Sequence, residues 1–88
     1  MVMTLVEVVW HDAHSDVATW LEIEEIDLNP CVVVTVGILL PDHKANHIVV
    51  LQSWNSFGSV DSVLCIPVGM VQSMRVLGTR NDVGSPID

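Results

Sequence analysis

The chain has 88 residues, half of them apolar, and its formal net charge is −8. That length makes one small domain with a modest core, marginal on its own unless something supports it. Eleven acidic residues stand against three basic ones, Lys44, Arg75 and Arg80. This excludes broad electrostatic binding to nucleic acid, whose affinity comes from cations displacing phosphate counterions.

In chain order, "LVEVVW" at residues 5–10 alternates around Glu7 and predicts a first strand. The N-terminal ten residues lack a basic leader before an apolar core, so no signal peptide is expected. Every apolar run is far shorter than a membrane span, and a cytoplasmic location without membrane contact is the expectation. "HDAHSDVATWLEIEEIDLNP" follows, the most acidic part of the chain. Asp16 is a candidate helix N-cap, and a short helix or an irregular excursion both fit before Pro30.

"CVVVTVGILL" at 31–40 predicts a second strand, apolar on both faces, with Gly37 marking a bend or bulge. "PDHKAN" is a polar turn, and "HIVVLQSW" at 47–54 a third strand. "NSFGSVD" turns around Gly58 into a fourth strand at 60–66. "PVGM" reads as a tight turn or one turn of 3₁₀ helix, and 71–77 as a fifth strand. The domain is expected to end at 77, with a frayed polar tail over 78–88. Five short, closely spaced strands predict a mainly β protein, a small, strongly bent five-stranded barrel of the SH3 type with an excursion after the first strand. Two strands apolar on both faces leave surplus apolar surface, to be covered by the excursion or by other copies. Cys31 and Cys65 lie in apolar runs and are expected to be reduced, buried and unbridged.

The turn at 37–51 carries a family pattern. In Sm and Sm-like proteins the second strand holds Gly-x-Leu, an Asp follows in the loop, and an Asn opens the third strand. Gly37 and Leu39 supply the first part here, Asp42 the Asp, and Asn46, four residues on, the Asn. A second Sm motif, Ile-Arg-Gly with a later aliphatic, is matched by Ile66 and Val71, with Gly69 shifted by one. The chain therefore resembles an Sm-like barrel over roughly residues 31–77, and especially the small Sm-like proteins of unknown role encoded by phages. The departures are specific. The Gly-to-Asp spacing is one residue short, Lys44 stands where an aromatic or His often stacks on a base, and Pro67 replaces the Arg.

The resemblance implies a non-enzymatic homo-oligomer, a ring of about five to seven copies. The expected seam pairs the fourth strand with a neighbour's fifth through Val60, Val63, Leu64, Val71, Met74 and Val76. RNA or a nucleotide is expected at the central opening, through Asp42, His43, Lys44, Asn46 and Arg75. His43 could stack on a base while Asn46 bonds its edge. Asp42 and Asn46 also have a purely structural role available, as side chains that hydrogen-bond the turn backbone.

Two other functions compete with this one. A phage accessory protein could engage a basic patch on a host or virion protein through its acidic surface. A counter-defence protein could sequester a host nucleotide signal. Two loose clusters resemble metal ligands, His11, Asp12, His14 and Asp16, and Asp42, His43 and His47. Solvated loops explain both more simply, and no metal or other cofactor is expected. No nucleophile, phosphate loop or carboxylate pair has recognisable spacing, so no enzyme is expected. Trp10, Trp20 and Trp54 read as core or interface anchors.

Overall fold

The computed structural model describes residues 2–15 and 20–81. The chain is mainly β. Strands β1 (Val2–Asp12), β2 (Cys31–Leu40), β3 (His47–Trp54), β4 (Val60–Pro67) and β5 (Val71–Asn81) are all present. They form one open antiparallel sheet in the order β4-β3-β2-β1-β5. A 3₁₀ turn, Val68–Met70, joins the two edge strands. No helix is long and apolar enough to cross a membrane among the described residues.

Valine-rich alternation explains β1. Val6, Val8 and Trp10 are buried on one face, while Leu5, Glu7, Val9 and His11 point to the other. The buried set packs with Val50 of β3 and Ile66 of β4, and Val33, Leu39, Ile48 and Val71 pack against it. β4 lies three strands from β1, about 14 Å across a flat sheet. The sheet must therefore curl for Ile66 to join the cluster with Val6. Trp10 Nε1 donates to Thr35 Oγ1 at 2.9 Å, so the largest core side chain satisfies its polar end.

Gly37 lies where the sheet forks. β2 pairs with β1 along nearly its whole length, from Leu39 opposite Thr4 to Cys31 opposite Asp12. It pairs with β3 only at residues 38–40. A Cβ on Gly37 would sit 2.9 Å from the Leu51 carbonyl oxygen. Close approach of two backbones is what this glycine permits.

Three expectations are corrected. β5 runs past residue 77 to Asn81, because Gly78, Thr79, Arg80 and Asn81 pair with Leu5, Thr4, Met3 and Val2. Of the two forms expected for the excursion the irregular one is found: there is no helix beyond the single 3₁₀ turn Ile23–Glu25 among the described residues, and residues 20–30 are exposed throughout. Glu22, Glu24, Glu25 and Asp27 interleave with Trp20, Leu21, Ile23, Ile26 and Leu28, so no helical stripe would be apolar. The Asp16 cap lies outside the described residues. Trp20 is 91% exposed, so of the core and interface roles expected for it the core role is ruled out. Both cysteines are free, as expected, but exposed rather than buried. Cys31 starts β2 opposite exposed Asp12, and Cys65 lies on the edge strand β4.

The fork generates a paired prediction. Gly37→Ala should lower stability by about 1–3 kcal/mol, because a backbone oxygen cannot move aside as a side-chain tip can. Gly69→Ala, where a Cβ meets nothing within 4 Å, should change it by no more than about 0.5 kcal/mol. Urea unfolding of both variants checks this, and equal effects would remove the argument from close approach.

Candidate functional site

Residues 41–46 join β2 to β3. Asp42 (φ 54°) and Asn46 (φ 59°) both adopt the left-handed conformation. Among side-chain-bearing residues Asp and Asn enter that region most readily. His47 N donates to Lys44 O at 3.3 Å, and Val68 N to Asn46 O at 2.9 Å. The second bond ties this loop to the 3₁₀ turn after β4. The two segments that carry the sequence pattern, one ending at Asn46 and one opening at Ile66, thus meet in space.

The turn is not held as the sequence suggested. The Asp42 and Asn46 side chains form no hydrogen bond among the described residues, and the two residues act through their backbone conformation. His47 instead contributes a side-chain bond, with Nδ1 donating to Ala45 O at 2.8 Å. Asp42, His43, Lys44 and Asn46 are all exposed. Lys44 forms no ion pair among the described residues. A carboxylate, an imidazole, an ammonium and a carboxamide therefore share one short, solvent-facing loop. Such a set can bond base edges, stack on a ring and contact a phosphate.

Arg75 is placed apart from that loop. It pairs with Glu7 across β5 and β1, Nε to Oε1 at 3.1 Å and Nη2 to Oε2 at 3.4 Å. Glu7 in turn lies opposite Val36 of β2, well before the loop begins at the end of that strand. The Arg75 side chain is 71% exposed, so the pair does little for stability.

The seam candidates fall on the two free edges. Val60, Val63 and Leu64 lie on β4, and Met74 and Val76 on β5, with exposures between 37% and 59%. The register shows which way they point. Leu64 lies beside Val50, and Met74 and Val76 beside Val8 and Val6. These three side chains share the core face and yet are uncovered. Val71 is half-buried and packs against the core. No group of three or more His, Cys, Asp or Glu side chains that could hold a metal occurs among the described residues. Asp16, one of the candidate ligands, lies outside them.

Sequence reasoning missed the Glu7–Arg75 pair, which needs the β1–β5 register. It also missed the form of the 55–59 turn, where Asn55 Oδ1 accepts from Phe57 N and Ser59 N, both at 3.0 Å. Phe57 is 92% exposed at its tip. A signal was available, since an apolar residue flanked by Ser and Gly in so short a turn has little to pack against.

Compared with models of protein families, with curated proteins and with solved structures, the chain matches none.

The loop conformation yields a test that separates backbone from side chain. Asn46→Gly should leave stability nearly unchanged, because glycine accepts positive φ freely. Asn46→Ala should cost up to about 1 kcal/mol in urea unfolding, because alanine keeps the Cβ but loses the short polar side chain that eases the left-handed conformation. Equal losses in both variants would mean that the carboxamide itself holds the turn.

Proposed function

We propose that the chain is a non-enzymatic subunit of an Sm-like homo-oligomeric ring of about five to seven copies, with the 41–46 loop as a ligand surface for RNA or nucleotides. The observation that carries the reading is the pair of unfinished edges. Leu64 on β4 and Met74 and Val76 on β5 face the core side and remain exposed. Pairing β4 with a neighbour's β5 covers both sets at once and satisfies two rows of free backbone groups. The sheet order supports it, because β4 and β5 are its two ends. An edge that meets a different edge is a head-to-tail contact, and such contacts close into rings when the rotation permits. The curled sheet and the contact between the 41–46 loop and the Val68–Met70 turn support the Sm-like barrel as the subunit.

A second reading rests on the excursion. Trp20, Leu21, Ile23, Ile26 and Leu28 are exposed among four carboxylates. This favours a phage-type accessory protein that engages a basic partner protein. Capture of a nucleotide signal is the third, and it needs a closed pocket with a cation and an aromatic at a subunit boundary.

Native mass spectrometry and sedimentation test assembly. The expected species is several times the 9.6 kDa protomer, and a monomer at micromolar concentration would remove the ring. Fluorescence anisotropy with short U-rich and A-rich RNA at two salt concentrations tests the loop. Lys44→Ala should weaken both RNAs alike and flatten the salt slope. His43→Ala should cost roughly 1–3 kcal/mol at most, the loss of a stacking plane. No binding at low salt with the ring intact would end the RNA reading.

A further inference from the structure

The fork between β2 and β3 leaves half of β2 with a strand on one side only. Residues 31–36 pair with β1, from Cys31 opposite Asp12 to Val36 opposite Glu7. On the other side β2 meets β3 only at residues 38–40, and no further backbone bond reaches residues 31–36 among the described residues. Every second residue of this stretch therefore holds its N–H and C=O away from β1 with no strand to receive them. The stretch reads "CVVVTV", without charge or proline. Charges and prolines are what keep an exposed edge single, and an edge lacking both is a template for another strand.

The side chains decide which strand fits. Val32, Val34 and Val36 share one face and are 60%, 59% and 50% exposed. Their neighbours on β1 are His11, Val9 and Glu7, and Glu7 is already paired with Arg75. With −8 on each chain, two copies repel unless they meet where no carboxylate is free. The strip from Val32 to Val36 is such a place. At its lower end the fork opens as a cleft of about 190 Å³, lined in part by Thr35, Gly37, Leu51, Gln52 and Ser62, and none of its lining residues is charged.

We propose that this edge of β2 pairs, antiparallel, with the same edge of β2 in a second copy, about a two-fold axis at Val34. Bonded and non-bonded pairs alternate along an antiparallel ladder, so a two-fold perpendicular to the sheet must centre on one residue facing itself. Centring on Val34 sets it beside Val34 of the second copy and sets Val32 beside Val36 of the second copy. All six exposed valines then meet as β-branched cross-strand pairs. The two-fold keeps each face of the sheet on its own side. Cys31 of the second copy therefore comes beside Gly37, with its small thiol on the face of Thr35, in the fork cleft. Pro30 precedes it in the chain and has no N–H to pair, so the ladder ends there. The contact uses neither β4 nor β5 and is independent of the head-to-tail seam. An assembly in which every copy makes both contacts holds an even number of copies, as in two rings joined by two-folds.

The test uses the full chain with Cys31→Ser and Cys65→Ser, since both native thiols are exposed. Mild oxidation should give covalent dimers from Val34→Cys, on the axis, and from Val32→Cys combined with Val36→Cys. Val32→Cys alone should give none, because its two copies lie about 13 Å apart along the seam, beyond the reach of a disulfide. In the native background, Val34→Lys should raise the dissociation constant of the dimer at least roughly tenfold by setting two like charges face to face, with an unchanged circular dichroism spectrum. An oligomer that gives no covalent dimer from Val34→Cys, an unchanged constant for Val34→Lys, or a closed ring with an odd number of copies would overturn the β2 contact and leave the ring standing. A dimer and nothing larger, cross-linked through Val34→Cys, would bear out this contact and remove the ring. A wild-type monomer at micromolar concentration would overturn both.

Discussion

The structure depends on the curl that gathers Ile66 of β4 into one buried cluster with Val6, Val8 and Trp10 of β1. A single sheet has no second layer to bury its apolar face, so it must fold that face onto itself. Several local features serve this bend. β1 and β5 slip register at Leu5/Val6 and again at Val9/Trp10, and such bulges increase local twist. Gly37 lets β2 and the Leu51 backbone converge where the sheet forks. Ser62 takes a positive φ of 54° within β4, with its N–H on Asp61 Oδ1 at 2.8 Å. The Val68–Met70 turn then needs only three residues to pass from one edge of the sheet to the other.

Curling buries one face of β1 and the middle of β3 and leaves the two ends of the sheet. Val49, Val50 and Leu51 of β3 are fully buried, whereas β4 buries only Ile66 and β5 buries no residue. Proteins that keep such edges single often protect them with lysines or inward charges. β4 carries neither, only Asp61 and a stretch of small and aliphatic side chains. β5 carries Arg75, which Glu7 neutralises in place, and Arg80 near its end. Edges of this composition are what the proposed head-to-tail pairing would cover.

How much of this was legible in the sequence varies by element. All five strands were, because β-branched runs between Gly, Pro and Asn leave few alternatives. Strand ends were less so. Gly78, Thr79 and Arg80 look like tail residues and are ordered by pairing with Met3, Thr4 and Leu5, a contact across the whole chain. Burial at edges was not legible. Cys65 sits in an apolar run, and only the sheet order reveals that its strand has one neighbour. At the loop, the identities of Asp42 and Asn46 did announce a turn. Their role is a backbone conformation, whereas residue type alone suggested side-chain bonds. Arg75 could not be separated from the loop without the register that ties it to Glu7.

Electrostatics narrows what the 41–46 loop can hold. Assembly multiplies Lys44, which tempts an argument from avidity. It multiplies the net charge of −8 by the same factor. The proposed ring would therefore present one ammonium per copy within a strongly negative field, and Asp42 lies two residues from each. Long-range attraction of a polyanion is opposed at every copy, and only short-range terms remain favourable. Those terms are stacking on His43, hydrogen bonds to the Asn46 and Asp42 side chains, and a single Lys44 contact to a phosphate per copy. Under the proposed function the loop would thus be better matched to bases, read one per copy, than to the backbone that links them. A ligand with few phosphates per base suits it best, and each further phosphate in an extended RNA adds repulsion without adding a contact.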